Sequence, residues 1–426
     1  MSAGLAFYRG ATALLSPFAR LFLEARARRG KEDLSRLGER LGRTRMRRPP
    51  GQLVWLHGAS IGEGLALLPL IAHLRARGFV VLLSTGTWSS AKVLAARLPP
   101  GVLHQFAPLD LPGAVRAFLD HWRPFALLLA ESELWPNMIR HCAARAIPVA
   151  LVNGRMSERS FARWRRAPRM ARAIFDMLAL CAAQSETYAR RFAGLGARNL
   201  IVVGNLKYDG APPPVDSLAL ARLRASVGPR PVLVAASTHE GEEEIVLAAH
   251  RALSRRHPDL LTILAPRDVS RASDIAALAS DAGMTCSVRS REAAIAPEMQ
   301  VYVADTFGEM GLWLRLASVA VVGKTFGTGG GQTPAEAVRC GAVVLHGPSV
   351  YQFAEAFAAL DNTGGALQVS EASLSETIAT LLGDPARCRA MTSAASKTLD
   401  ALAGATARTL SALEPILSRA PALQTL

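Results

Sequence analysis

Cysteine is scarce and unpaired in this chain: Cys142, Cys181, Cys286, Cys340 and Cys388 are five scattered residues without a CxxC spacing. An odd, dispersed set excludes a disulfide framework and a thiolate metal site, and reads as buried thiols of a reducing compartment. No cluster of His, Cys, Asp and Glu with metal-ligand spacing appears, so the chemistry is expected to need no metal. The glycine-rich segment Gly327–Pro334 lacks the GK[ST] ending of a Walker loop, which disfavours ATP hydrolysis. Aromatic residues are 6% of the chain, with neither a nucleic-acid module nor a row of stacking aromatics. A membrane-spanning run is missing as well. Residues 4–23 (GLAFYRGATALLSPFARLFL) are interrupted by Arg9 and Arg20 and broken at Pro17, whereas a spanning helix needs about 20 mostly uncharged residues. No small-residue cleavage site follows, so a removed signal peptide is not expected.

What is plentiful is apolar sequence and positive charge. Half of the 426 residues are apolar, and a chain beyond roughly 250–300 residues divides its core, so two domains are expected. The net charge of +15 is uneven: residues 1–50 hold twelve Arg and Lys against four acids, a net +8. A second cluster, Arg155 to Arg172, sets seven arginines against Glu158 alone. Such patches suit nucleic acid or an anionic lipid surface, or are simply solvated. Residues 4–23 fit an interfacial anchor, with Arg26, Arg28, Arg29 and Lys31 against headgroups.

Strand-length apolar runs recur at 53–58, 79–84, 104–108, 125–130, 147–152, 177–182 and 200–204. The segment DGAPPPVDS after Tyr208 reads as a linker, and the pattern restarts at 231–236, 261–265, 285–288, 301–304, 319–323 and 342–346. Val/Leu/Ala runs without polar alternation indicate parallel strands buried on both faces. Two doubly wound α/β domains facing across a cleft are therefore expected, with ligands beyond the carboxyl ends of the strands. The divisions are an anchor and basic segment over 1–50, a first domain over 51–208, a linker over 209–230, a second domain over 231–384 and C-terminal helices over 385–426. The last, Ala-rich between 385 and 418, could return to brace the first domain.

Four strand ends carry Ser/Thr-x-x-Glu: Ser60–Glu63, Ser237–Glu240, Thr306–Glu309 and Thr333–Glu336. Each is read as a capping box at a helix N-terminus, where free N–H groups favour an anion. Glu63, flanked by Gly62 and Gly64, is either a cap or a general base. Glu131 and Glu133 follow the run FALLLA and point the same way if the strand continues. Lys207, ending the last strand before the linker, can offset developing negative charge. In the second half, Pro266 and Arg267 end a strand, Gly308, Glu309 and Met310 follow Asp305-Thr306, and the loop before Thr333, Pro334, Ala335 and Glu336 can wrap a phosphate. Glu336 there would reach ribose hydroxyls.

In combination, HGASIGE, STGT, ESELWPN, VNGRMSERSF, GNLKYD, ASTHEGEEE, APRD, DTFGEM and TPAE resemble the Kdo transferases of lipopolysaccharide synthesis, nearly end to end. The resemblance implies a GT-B fold of two Rossmann-like domains and an inverting transfer of Kdo (3-deoxy-D-manno-octulosonic acid) from CMP-Kdo to a lipid A precursor, lipid IVA. It implies Glu63 as general base, Glu133 and Lys207 as transition-state stabilisers, and Pro266, Arg267, Gly308, Glu309, Met310, Thr333, Pro334, Ala335 and Glu336 around the CMP. It also implies no cofactor or metal, no nucleic-acid partner, and a place on the cytoplasmic face of the inner membrane, held by the anchor and the Arg-rich cluster. One departure stands out: Gly330-Gly331-Gln332-Thr333-Pro334 replaces the family's usual GGHNP, so no imidazole is offered there. The alternatives are another GT-B nucleotide-sugar transferase or epimerase, and a basic, non-catalytic nucleic-acid-binding protein. The latter would explain the charge but not the glycine-rich junctions.

Overall fold

The computed structural model describes residues 2–291 and 294–418. The chain forms two compact units, one taking residues up to Gly210 and again from Ala403, the other Ala211–Leu402. The first unit holds β1 (Leu53–His57), β2 (Val80–Thr85), β3 (Leu103–Phe106), β4 (Ala126–Ala130), β5 (Val149–Gly154), β6 (Leu180–Ala183) and β7 (Leu200–Val202), in the order β3-β2-β1-β4-β5-β6-β7. The second holds β8 (Val232–Thr238), β9 (Leu261–Pro266), β10 (Cys286–Val288), β11 (Val301–Val303), β12 (Val319–Val322), β13 (Val343–His346) and β14 (Ala366–Gln368), in the order β10-β11-β9-β8-β12-β13-β14. The pairings are parallel.

Side chains alternate across a strand, and here both sets are apolar. On one face Trp55, Leu127, Leu129 and Leu151 pack on Val115, Phe118 and Trp122 of the helix Pro112–Trp122. On the other, Val54, Leu56, Leu83 and Leu128 meet Leu70, Ile71 and Leu74 of the helix Leu68–Ala76, together with Leu413 and Ile416. Each such side chain contributes roughly 1.5–3 kcal/mol relative to exposure. A sheet with no water-facing side can only be covered by crossover helices, which is why the order runs outward from a central pair. At that pair the winding reverses, and the carboxyl ends of β1 and β4 stand next to each other. In the second unit the reversal falls between β8 and β12. There the backbones approach closely: a Cβ at Gly323 would lie 2.3 Å from the Ser237 carbonyl oxygen.

The thirteen apolar runs correspond to β1–β13. β14 was not foreseen, because a three-residue edge strand carries too little apolar sequence. Two boundaries differ from expectation. The second half of the 209–230 linker is the helix Ser217–Val227, anchored by Leu220, Leu223 and Val227. The C-terminal segment is divided: the helix Pro385–Leu402 belongs to the second unit and the helix Ala405–Leu417 to the first, while 419–426 lie outside the described residues. The 1–50 segment packs within the first unit through buried Leu5, Ala19 and Leu23. Among the described residues no helix is long and apolar enough to cross a membrane.

The returning helix Ala405–Leu417 has Gly404 at its cap and no capping side chain of its own. Asp209 supplies one from a distant stretch of chain, accepting from Gly404 N–H at 2.7 Å and from Thr406 N–H. Losing a cap costs about 1 kcal/mol. We expect Asp209→Ala to speed hydrogen exchange of the 405–417 amides by about fivefold while leaving the β8 amides unchanged.

Candidate active site

The turn after β1 is set by close packing. A Cβ at Gly58 would stand 3.0 Å from Glu63 Cβ and 3.2 Å from Gly64 N, so a glycine there lets the helix Ile61–Ala66 begin against the strand. That helix carries the expected capping box. Ser60 Oγ accepts from Glu63 N–H at 3.3 Å and donates to Glu63 Oε1 at 2.9 Å, while Ala59 N–H donates to Glu63 Oε2 at 2.7 Å. Burial raises the proton affinity of Glu63, and the charges of Glu133 and Glu131 raise it further. The two cap bonds oppose this without cancelling it.

β4 ends at Ala130, and Glu131 turns left-handed at φ 50°. The strand does not continue, so Glu131 and Glu133 are not paired by alternation as the extended reading supposed. They serve different partners. Glu131 Oε1 accepts from Lys207 Nζ at 2.5 Å in a largely buried pair, with side chains 9% and 17% exposed. Glu133 Oε2 lies 3.4 Å from His57 Nε2 and accepts from Trp135 Nε1 at 2.7 Å. Burial pushes the Glu133 carboxyl up, but the hydrogen bond and charge of His57 and the Trp135 indole outweigh it, leaving a net downward shift. Lys207, expected as an available cation, has its charge committed to Glu131. It sits in the 3-10 turn Leu206–Tyr208, fixed by Asn205 Oδ1 accepting from its N–H and by Asn153 Oδ1 accepting from Leu206 N–H.

Backbone strain marks the same places. Of the six non-glycine residues at positive φ among the described residues, Arg123 and Ala146 follow helices. Glu131, Asn153, Ser237 and Lys324 stand at or near the carboxyl ends of β4, β5, β8 and β12. A left-handed non-glycine residue costs about 1–3 kcal/mol and persists where a functional arrangement holds it.

In the second unit the remaining boxes are rewritten. Ser237 at φ 60° does not cap with Glu240; the helix starts at Glu242, whose own carboxylate accepts from His239 N–H at 2.9 Å. Glu242 also accepts from the N–H groups of Lys324, Thr325 and Phe326 at 2.6, 2.9 and 3.1 Å, tying the loop after β12 to the turn after β8. Thr306 does bond Glu309, but Glu309 is gripped by Arg289 at 2.8 and 3.0 Å and precedes the helix Met310–Leu316. Thr333 accepts from Ala335 N–H at 3.3 Å, so Glu336 is not its capping partner. In the glycine-rich loop, Gly330 N–H is given to Ser349 Oγ, Gly331 N–H to Lys324 O and Gln332 N–H to Gly323 O. Those three donors hold the loop's shape. Pro266 is buried at the end of β9, and Arg267 is exposed beside it with its N–H on Thr238 O at 2.9 Å. Gly308 bends at φ 89° next to exposed Phe307.

Residues 35–210 match the family model of 3-deoxy-D-manno-octulosonic-acid transferase (kdotransferase), which spans β1–β7 and the Glu63, Glu131, Glu133 and Lys207 turns. The 3-deoxy-D-manno-octulosonic acid transferase of Bordetella pertussis is 36% identical over 420 residues, covering 94% of this chain and 96% of that protein. The Haemophilus influenzae enzyme is 30% identical over 425 residues, covering 97% and 99%. The chain belongs to the Kdo transferases. A probable mitochondrial member from Arabidopsis thaliana is 36% identical over 393 residues, covering 89% of this chain and 88% of that one. The chain is therefore a glycosyltransferase enzyme, and the non-catalytic nucleic-acid reading falls. Among solved structures, a glycosyltransferase from Rickettsia africae superposes with TM-score 0.60 at 10% identity over 87% of this chain and all of that one. A putative UDP-N-acetylglucosamine 2-epimerase from Listeria monocytogenes gives 0.58 at 12% over 89% and 100%. At such identity they show the GT-B fold alone.

His57 was absent from the expected site residues, and Glu131, named beside Glu133 as a strand-end acid, was given no role there, although both stand beside those residues. Each ends or follows a strand at the winding reversal, and that position was the available signal. Ionised Glu63 is disfavoured in the folded protein, so it opposes folding once pH rises through its raised pKa; below the unfolded-state value the opposition is gone. We therefore expect Glu63→Gln to raise the thermal midpoint near pH 8, with the gap closing as pH falls toward the ordinary glutamate range.

Proposed function

We propose that this Kdo transferase moves Kdo from CMP-Kdo to a lipid A precursor such as lipid IVA, with inversion at the anomeric carbon. The observation that carries the reading is the partition of charge at the ends of β1 and β4. Lys207 balances Glu131, and His57 with Trp135 supports Glu133. Among the described residues no cation pairs with Glu63, which is left with two cap bonds and a raised proton affinity. A carboxylate so placed is suited to take a proton from an acceptor hydroxyl. The hydroxyl oxygen bonds to the anomeric carbon of Kdo, the bond to the CMP phosphate breaks with its electron pair going to phosphate, and the proton passes to Glu63. Glu133, held ionised, opposes the positive charge that develops on the sugar. Lys207 holds the neighbouring Glu131 in an ion pair. In the second unit Arg267 offers charge to the leaving phosphate, while the Gly308–Met310 and Thr333–Glu336 turns hold the nucleotide. No metal enters this scheme.

The same reading places the enzyme on the cytoplasmic face of the inner membrane. Phe7, Leu14, Leu15, Phe18, Leu21 and Phe22 are exposed on the first two helices. Gly4 approaches Met170, which sets the first helix beside the helix Pro168–Phe175, itself packed on the Arg-rich helix Glu158–Arg165. Apolar and basic side chains on adjoining helices suit an anionic leaflet, each basic residue adding about 1 kcal/mol near the surface.

We expect Glu63→Gln to fold and to lose about 10²–10⁴-fold in kcat with CMP-Kdo and tetraacylated lipid A precursor, read by mass spectrometry of the product. Turnover at the wild-type level would remove Glu63 from the role of base. Wild-type turnover should persist in excess EDTA. In vesicle co-sedimentation, deleting residues 1–24 should release much of the protein from anionic vesicles, and added salt should weaken what binding remains.

A further inference from the structure

We propose that His57 is a positioning residue for the transfer: Trp55 and Ser84 orient its ring so that Nε2–H holds Glu133 in place. The proposal rests on Glu133 acting as described above.

His57 ends β1, is 2% exposed, and lies on the same face as Trp55 by strand alternation. The parallel register sets Ser84 of β2 opposite it. Trp55 Nε1 donates to Ser84 Oγ at 2.7 Å, and His57 Nδ1 lies 3.0 Å from Ser84 Oγ and 3.1 Å from Ser84 O. An indole nitrogen only donates, so Ser84 Oγ accepts there and keeps one proton to give. With the Ser84 hydroxyl donating to the bare Nδ1, the neutral ring carries its own proton on Nε2. With Nδ1–H on the Ser84 carbonyl, a proton on Nε2 makes the ring cationic. Both arrangements aim Nε2–H at Glu133 Oε2. The third, a bare Nε2 lone pair against a carboxylate, is repulsive. The 3.4 Å separation is long, as such contacts are before substrate closes on them. Trp135 donates to the same oxygen, Oε2, leaving Oε1 for substrate.

The charged groups around this pair come from several elements. Glu63 lies on the helix after β1, Glu131 with its partner Lys207 lies beside it, and Arg40 and Asp110 line a cavity of about 70 Å³ shared with His57, Glu133, Trp135 and Met138. Since Glu133 raises Glu63, and His57 holds Glu133 down, His57 acts on the base through Glu133.

The test is the acid limb of kcat/KM against pH, measured with CMP-Kdo and tetraacylated lipid A precursor. Transfer needs both Glu63 and Glu133 ionised, so the acid limb belongs to the pair. In His57→Leu, buried Glu133 loses its donor and protonates more readily, and the limb should move to higher pH. kcat should fall about 10–100-fold, the range seen when a partner behind an active group is removed, with KM for CMP-Kdo within about twofold. In Glu133→Gln the charge that raises Glu63 is gone, so the limb should move to lower pH. The double variant should match Glu133→Gln within about twofold. His57→Gln, which keeps an N–H donor, should recover part of the loss. Should His57→Leu not fold, Ser84→Ala provides the same reading, with a smaller shift in the same direction. A limb that stays put in His57→Leu and Ser84→Ala, or a double variant as poor as the product of the two single losses, would overturn the role. Absence of any transfer by the wild-type enzyme would instead overturn the activity on which the role rests.

Discussion

Three carboxylates crowd the carboxyl ends of β1 and β4, and two of them have dedicated partners. Burying like charges is costly unless each is compensated. Lys207 compensates Glu131 completely enough to make a buried ion pair, and His57 with Trp135 compensates Glu133 through hydrogen bonds. What remains uncompensated falls on Glu63. Burial raises the proton affinity of that residue and the charges of the two paired acids raise it further, and several features of the first unit hold those pairs. The winding reversal brings β1 beside β4, the left-handed turn at Glu131 separates two acids that an extended strand would have aligned, and Asn153 and Asn205 pin the turn bearing Lys207.

The second unit solves a different problem with the same chemistry. Glu242 takes four backbone N–H groups from two loops and makes the turn after β8 and the segment after β12 one piece. Gly323 allows that closeness, and Ser237 and Lys324 accept left-handed backbone to complete it. A carboxylate that bonds several amides rigidifies a loop without offering itself to a ligand. The glycine-rich loop is held likewise by Ser349, Gln352 and its own carbonyls. Its form is therefore pre-set, which limits the ordering a bound nucleotide would have to impose.

How much of this was legible in the sequence follows from the range of each interaction. Strands β1–β13 were legible because Val and Leu fill both faces, and Glu63 because a capping box is written within four residues. The other Ser/Thr-x-x-Glu matches share the pattern without the box. Ser237 turns left-handed, Glu309 is claimed by Arg289, and Thr333 reaches Ala335 instead. Lys207 and Glu133 could be placed at strand ends, but not their partners. Lys207 meets Glu131 across 76 residues, and His57 reads as an unremarkable strand end until β2 supplies Ser84. Pairing between distant segments is a property of topology, and topology is what a linear pattern states least.

The central claim is that burial, with the charges at Glu133 and Glu131, lifts the proton affinity of Glu63. Difference infrared titration of the free enzyme against Glu63→Gln, with glutamate carboxyls isotopically labelled, observes that carboxylate directly. The account predicts a carboxyl signal for Glu63 that ionises above the ordinary glutamate range, with Glu133 ionising below it. A Glu63 signal already ionised at or below that range, with Glu133 titrating above it, would contradict the account.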